Sequence, residues 1–225
     1  MSAAVVTSSS GAAGAAEVIQ SHGWWLASRA SGLVALVLVT VSVFLGLAMA
    51  GKVMRRPGLS KKLMAIHEQT ALAGLVAIAV HGIALLGDPW LHPGITGVAV
   101  PFAMSFKTAF TGLGIIGGYL AALLGLSYYV RRRIGARLWR KAHRATVVVY
   151  LLGLVHALGA GTDATAVWFR WWVLLTTPVI GGLFVYRVLS ERAKKQARRA
   201  ARPRPQRALP AERRAHVPTP VLEEA

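Results

Sequence analysis

Five apolar segments, each long enough to cross a bilayer, constrain the fold of this chain more than any other feature. They cover residues 24–50, 63–86, 104–130, 143–161 and 167–189. A helix needs roughly 20 apolar residues to cross a hydrocarbon core of about 30 Å, and only helices and closed barrels satisfy their backbone hydrogen bonds in lipid. With 55% hydrophobic residues, the chain is too apolar for an ordinary soluble domain. We therefore predict an all-α integral membrane bundle of about five transmembrane helices.

The basic residues indicate how this bundle is oriented. Five lie in residues 51–62, seven in residues 131–144 and eleven from residue 187 onward, which leaves only three elsewhere. Cytoplasmic loops of membrane proteins are enriched in Lys and Arg, so this face is predicted to be cytoplasmic, with the N-terminus outside and the C-terminus inside. This bias explains the net charge of +18 without a nucleic-acid partner, and the sequence shows no nucleic-acid recognition fold.

The composition divides the chain into three predicted regions. Residues 1–22 form a polar extracytoplasmic N-terminal segment, which lacks the basic start and apolar core of a secretory signal peptide. Residues 23–189 form the transmembrane domain. Residues 190–225, rich in Arg, Ala and Pro, form a basic and largely disordered cytoplasmic tail. We expect an integral protein of a bacterial plasma membrane.

Four histidines lie in two of the apolar segments. In the second segment His67 and His81 stand at positions i and i+14, and in the fourth His143 and His156 stand at positions i and i+13. Both segments run from inside to outside, so His67 matches His143 in depth and His81 matches His156, with roughly 20 Å between the two levels. An imidazole inside a bilayer is costly unless it is paired or ligated, and neutral imidazole is a good axial ligand for haem iron. We predict two b-type haems with these four residues as iron ligands.

The unequal spacing of the histidines predicts an irregularity in the fourth helix. Fourteen residues at about 100° each return to within roughly 40° of the same face, whereas thirteen miss it by roughly 140°. If both His143 and His156 face the second helix, the fourth must contain a π-type bulge, a kink or a tilt between them. Gly153 lies in that interval.

These residues resemble the ferric reductase-like transmembrane domain. That superfamily includes NADPH oxidases, ferric-chelate reductases and the haem-bearing membrane subunit of the bacterial periplasmic methionine sulfoxide reductase. The resemblance rests on the i, i+14 and i, i+13 histidine spacings, on Leu-Trp-Arg-Lys-Ala-His-Arg at residues 138–144, and on Arg-Ala-Ser-Gly at residues 29–32, which is similar to the family's Arg-x-x-Gly. It covers residues 24–189.

The resemblance implies a di-haem b-type membrane cytochrome that serves as the haem-bearing component of an oxidoreductase. Family members with their own flavin–nicotinamide domain have six helices, whereas here five segments are followed only by residues 190–225. We therefore expect electrons to arrive from a separate cytoplasmic flavoprotein reductase or from quinol, and to leave to an extracytoplasmic acceptor. The absence of cysteine excludes iron–sulfur clusters and covalently attached haem.

Three arginines are candidate partners for the anionic haem propionates. Arg140 and Arg144 flank His143, and Arg29 lies in the outer part of the first apolar segment, where an unpaired charge is costly. We expect Arg140 and Arg144 to serve the inner haem and Arg29 the outer one. The alternative for Arg29 is that its side chain extends to the outer lipid headgroups.

Two other classes of function remain open at this point. The chain could be a non-catalytic membrane scaffold or assembly protein with structural histidines, or a small proton or ion pathway that uses intramembrane histidines. The scarcity of Asp and Glu in the apolar segments disfavours the pathway. No catalytic residue is predicted. Residues 112–117 fit G-x-G-x-x-G, but they lie within a predicted helix and follow no strand, so we interpret these glycines as helix-packing residues.

Overall fold

The structure, a computed structural model, describes residues 4–51, 53 and 58–201, with side chains from residue 22 onward. It is all-helical, and no strand occurs among the residues described. The helices are α1 (Ala4–Ala50), α2 (Leu59–Leu86), α3 (Gly94–Ala99), α4 (Thr108–Leu126), α5 (Arg131–Ile134), α6 (Ala136–His143), α7 (Thr146–Ala160) and α8 (Val167–Ala200).

Five helices in the described part of the chain are long and apolar enough to cross a membrane, which confirms the predicted number. Large apolar side chains on their outward faces, such as Val76, Leu123 and Leu175, are more than 60% exposed, as lipid-facing side chains are. The spans are His22–Ala50, Leu59–Leu86, Thr108–Leu126, Ala136–Ala160 and Val167–Ala200.

Two helices extend beyond the predicted apolar segments. Helix α1 begins at Ala4, within the segment predicted to be a separate polar region, and α8 continues to Ala200, into the predicted tail. The α8 extension is rich in alanine, lysine and arginine, which have high helix propensity and favour a helix there without an apolar face. The chain divides into two compact units, Met1–Arg187 and Val188–Ala225, and residues 202–225 of the predicted tail lie outside the described part.

Four helices of the first unit surround a central axis. Helix α1 packs along α2, α4 packs along α7, and the contacts of α1 with α7 and of α2 with α4 close the ring. Helices α2 and α7 are therefore diagonal partners, and within the described residues they do not pack along each other. The region between them is bounded by α1 on one side and α4 on the other.

Apolar side chains fill the interior between these helices. One cluster joins α1, α7 and α8 through Val43, Leu47, Tyr150, Leu154 and Ile180. The Tyr150 side chain is almost completely buried, and its hydroxyl lies 3.0 Å from the Thr177 hydroxyl of α8. A second cluster of α4 and α7 side chains meets α2, with members Ala121, Leu124, Val149, Leu75 and Ile78.

Gly117 and Gly118 of α4 pack against neighbouring helices, as the sequence predicted, whereas Gly112 faces a loop residue and Gly114 faces His156. A side chain at Gly112 would collide with the Phe102 ring, and Gly117 lies against the Leu152 side chain of α7. At Gly118 the nearest atom belongs to Ile78 of α2. Small residues of this kind let helix backbones approach closely inside a membrane.

The predicted irregularity of the fourth span falls at Arg144 and Ala145, not at Gly153. Helix α6 ends at His143 and α7 begins at Thr146, and the Ala145 amide donates to the Ala142 carbonyl in a tight turn (2.9 Å). Gly153 lies within the continuous α7, where its amide nitrogen is among the nearest atoms to Gly117 of α4. The break allows His143 and His156 to be oriented separately despite their unequal spacing.

Candidate functional site

The four histidines of the apolar segments meet as two pairs. The ring centroids of His67 and His143 are 6.2 Å apart, and those of His81 and His156 are 6.1 Å apart. The ring planes in each pair are steeply inclined, at 90° and 74° respectively. The structure thus brings together the residues that the sequence matched by depth, and each pair joins α2 to the fourth span.

The two pairs lie at different levels of the bundle. Helix α2 is continuous from Leu59 to Leu86, so the interval from His67 to His81 corresponds to about 21 Å along its axis. We call His67 and His143 the basic-end pair, because the Arg-rich helices α5 and α6 adjoin it, and His81 and His156 the far-end pair. Apolar residues of α2 and α7, including Leu75 and Leu154, occupy the interval between them.

Three of the rings donate a hydrogen bond to a backbone carbonyl through Nδ1. The acceptors are the carbonyl of Ser42 for His67 (2.9 Å), of Ser28 for His81 (2.8 Å) and of Phe110 for His156 (2.9 Å). A carbonyl oxygen can only accept, so in each neutral ring the proton is on Nδ1 and the lone pair is on Nε2. Such hydrogen bonds are what orients histidine ligands in metal sites.

His143 is held in a different way. Its ring stacks on the indole of Trp139, with centroids 4.8 Å apart and planes 24° from parallel. Its Nδ1 approaches the Leu124 carbonyl but makes no hydrogen bond of normal geometry, and the buried Trp139 indole N–H has no acceptor among the described residues. Tyr128 packs against Trp139, at 5.8 Å, and carries the Arg131 guanidinium over its own ring.

The pairs fit axial ligation of a haem iron better than binding of a bare metal ion. A metal held between two opposite imidazoles, at about 2.0 Å from each nitrogen, keeps the ring centroids about 6.3 Å apart, close to both observed distances. No group of three or more His, Cys, Asp or Glu side chains that could bind a metal ion occurs in the described part of the chain. A haem needs only two protein ligands because its porphyrin fills the other four positions. The Trp139 N–H without an acceptor is suited to a propionate.

Arg29 has a protein partner that the sequence analysis did not identify. Its guanidinium forms a two-bond ion pair with the Asp163 carboxylate, in which Nε donates to Oδ2 at 2.8 Å and Nη2 donates to Oδ1. The Trp25 ring lies 5.2 Å from the same guanidinium. Contact of Arg29 with a propionate stays a prediction, and such a contact has to form beside this ion pair or replace it.

Arg140 and Arg144 lie next to the basic-end pair along the chain. Arg140 is in the last turn of α6, and Arg144 follows His143 directly. Both side chains are exposed, and neither forms an ion pair with another described residue. Their expected role at the inner propionates stays a prediction.

The sequence analysis predicted α1 as a span but missed its role in holding the α2 histidines. In α1, Ser28 and Ser42 have the same i, i+14 spacing as His67 and His81, and both hydroxyls lie within 3.1 Å of an imidazole Nδ1. Ser-x-x-x-Gly therefore occurs twice in α1 in register with the histidines, at residues 28–32 and 42–46. That repeat was a readable signal. No comparable signal identified Asp163 as the partner of Arg29, because it is far from Arg29 in sequence and lies in a loop.

Comparison with known families agrees with this arrangement. A sequence profile described as the ferric reductase like transmembrane component matches residues 31–154, more than half of the chain, from α1 to α7. No solved structure matches the chain. The matched region contains His67, His81 and His143 and ends just before His156, and the family resemblance read from the sequence is confirmed. The chain belongs to the ferric reductase-like transmembrane component family.

Proposed function

We propose that this protein is a di-haem b-type cytochrome that carries electrons across the membrane. Families of this kind supply membrane electron-transfer components, and their domains typically bind haem. The observation that carries the proposal is the pair of histidine contacts at two levels, each with the ring separation that a shared metal requires. Haem bound at each level would supply a one-electron carrier, since bis-histidine ligation suits electron transfer.

The residues of the chain have three tasks in this function. The carbonyls of Ser28, Ser42 and Phe110 hold the Nδ1 proton of three histidines, so that Nε2 is available as a ligand. The apolar clusters between the levels exclude water from the path. Trp139, Arg140 and Arg144 adjoin the basic-end pair, where a donor N–H and two cations can bind propionates.

We further propose that electrons enter at the basic end. Six exposed cations surround the approach to His143, so a cytoplasmic flavoprotein with an acidic docking face would be attracted there; quinol is the alternative donor. The acceptor would lie outside the membrane, beyond the far-end pair. The exposed cations are Arg132, Arg133, Arg137, Arg140, Lys141 and Arg144.

The first experiment is a reduced-minus-oxidised optical spectrum with haem-to-protein stoichiometry. We expect two b-type haems in the wild-type protein, and one in His81→Ala and in His67→Ala, because each variant removes one ligand pair. The matched control is His92→Asn, which changes an exposed histidine in the loop before α3. His92 has a φ of 40°, a conformation that asparagine tolerates, and this variant should retain both haems.

Reconstituted vesicles then test transport itself. Wild-type protein should pass electrons from external dithionite to ferricyanide trapped inside, and His81→Ala should lose that activity. Wild-type protein that binds no haem when haem is supplied during expression contradicts the proposal and favours a scaffold. Haem binding without transmembrane reduction contradicts the electron path.

A further inference from the structure

Each histidine that donates to a backbone carbonyl also lies directly over a glycine of the helix that provides the carbonyl. A Cβ atom at Gly32 would be 2.9 Å from His81 Nδ1, and one at Gly114 would be 2.5 Å from His156 Nδ1. At Gly46 it would be 3.3 Å from His67 Cε1. Real Cβ contacts are essentially never closer than 3.0 Å. Two of these positions therefore exclude any side chain unless the imidazole moves, and the third leaves little room.

The glycine follows the acceptor carbonyl by one helical turn, at position i+4, in every case. The three combinations are Ser28 with Gly32, Ser42 with Gly46, and Phe110 with Gly114. In an α-helix the carbonyl of residue i points toward residue i+4, whose side chain normally covers its second lone pair. Glycine at i+4 leaves that lone pair open, so an imidazole from a neighbouring helix can lie flat on the backbone and donate to it.

The two combinations of serine carbonyl and glycine in α1 have the same sequence spacing as the two α2 histidines that they contact. Ser28 and Ser42 stand at positions i and i+14, as do Gly32 and Gly46, and as do His67 and His81 on the antiparallel α2. Each ring of α2 therefore meets the same local arrangement of α1, a serine carbonyl followed by a glycine. In this way α1 fixes both the depth and the rotation of the two α2 rings.

We infer that Gly32, Gly46 and Gly114 are positioning residues for the histidine ligands. Each lets one ring reach its carbonyl, which puts the proton on Nδ1 and directs Nε2 away from the supporting helix. His143 is positioned by stacking on Trp139 instead, and no glycine of the described residues lies under its ring. The tautomer part of the inference concerns the protein alone, whereas its consequence for haem rests on the proposed function.

Alanine substitutions at these glycines test the inference through haem content and electron paramagnetic resonance. Gly32→Ala and Gly114→Ala should each lose the far-end haem and keep the other, which halves the haem-to-protein ratio. Gly46→Ala, with its longer contact, should keep two haems but shift the low-spin g-values of the basic-end site. The control is Gly153→Ala in α7, where the nearest atom to the new Cβ is 3.9 Å away, and it should match the wild type.

A second variant distinguishes the glycine from the neighbouring hydroxyl. Ser28→Ala removes an oxygen 3.0 Å from His81 Nδ1 but leaves the carbonyl acceptor in place, so both haems should remain. If Ser28→Ala loses the far-end haem as Gly32→Ala does, the hydroxyl positions the ring and the inference is wrong. It is equally wrong if all three glycine variants keep two haems with unchanged g-values.

Haem-free protein labelled with nitrogen-15 histidine gives a readout that does not depend on the proposed function. In lipid bilayers, solid-state nuclear magnetic resonance should find three of the four bundle histidines as the Nδ1–H tautomer. Gly32→Ala should change one of those three and leave the other signals in place, which also shows that the variant is folded. If the wild type binds no haem but gives this tautomer pattern, the proposed function fails and the positioning role stands. If the three rings are not Nδ1–H, the positioning role fails.

Discussion

At the residue scale, the ion pair of Arg29 and Asp163 links two parts of the chain that are far apart in sequence. It joins α1 to the loop between α7 and α8, close to the far-end pair. The Asp163 side chain is only 7% exposed, whereas that of Arg29 is 38% exposed and retains part of its hydration. The hydrogen bonds from Arg29 hold the pKa of the Asp163 carboxyl below its ordinary value.

This lowered pKa predicts how stability depends on pH. A carboxyl whose pKa is lower in the folded state stabilises the fold at pH values above its unfolded pKa of about 3.9, and that contribution is lost as pH falls through the folded pKa. Asp163→Asn should therefore lower the free energy of unfolding by about 1–2 kcal/mol at pH 7, less than for a fully buried pair, because Arg29 can still reach water or headgroups. Thermal unfolding in detergent at pH 7 and pH 3 measures both effects.

The control for this prediction is an exposed pair in α8. Glu191 and Lys194 are 3.5 Å apart and more than half exposed, so Glu191→Gln should change the melting temperature very little. The wild type should lose its advantage over Asp163→Asn between pH 7 and pH 3. Equal melting temperatures of wild type and Asp163→Asn at pH 7 would contradict the predicted stabilisation of the fold by this ion pair.

At the element scale, the direction in which the fourth span begins depends on one glycine. Gly135 separates α5 from α6 with φ 89° and ψ 127°, a conformation that is essentially restricted to glycine. It sets the direction of α6, which carries Trp139 and His143 to the basic-end pair. Gly135→Ala should cost about 1–3 kcal/mol of stability and weaken haem binding at the basic end only. Haem stoichiometry and melting temperature measure the two effects.

A helical glycine provides the comparison for Gly135. No atom lies within 4 Å of the position of a Cβ at Gly182 in α8, and alanine has the higher helix propensity, so Gly182→Ala should be neutral or slightly stabilising. Loss of the far-end haem in Gly135→Ala, with the basic-end haem retained, would contradict the role given to α6.

The helices themselves could be predicted from sequence because every span must be long and apolar enough to cross the lipid. Long apolar segments located all five, and depth matching paired His67 with His143. The break at Arg144 and Ala145 could be inferred to exist from the histidine spacing but not located, because local turn geometry and packing against α4 decide its position. The sequence could not show that glycines lie under the rings, and it predicted only helix packing for Gly114, because the contact depends on which side chain a neighbouring helix brings.

At the scale of the whole molecule, the two histidine levels and the charge distribution define a direction across the membrane. Six exposed cations lie on the side of His143, whereas the far end has fewer cations, namely Arg29, which pairs with Asp163, and the exposed Lys107 and Arg170. A donor attracted by positive charge would thus approach one level, and an acceptor would meet the other. This direction depends on which end of the bundle faces the cytoplasm.

The positive-inside bias predicts that the basic end is cytoplasmic, and the chain is well suited to testing it. Because it contains no cysteine, a single introduced cysteine is the only thiol available for labelling. Ile95→Cys, in α3 on the far side and 77% exposed, should react with a membrane-impermeant maleimide in intact cells. Ala136→Cys, exposed at the start of α6, should react only after the membrane is permeabilised. The reverse pattern would invert the proposed direction of electron flow, and labelling of both positions in intact cells would contradict a single orientation.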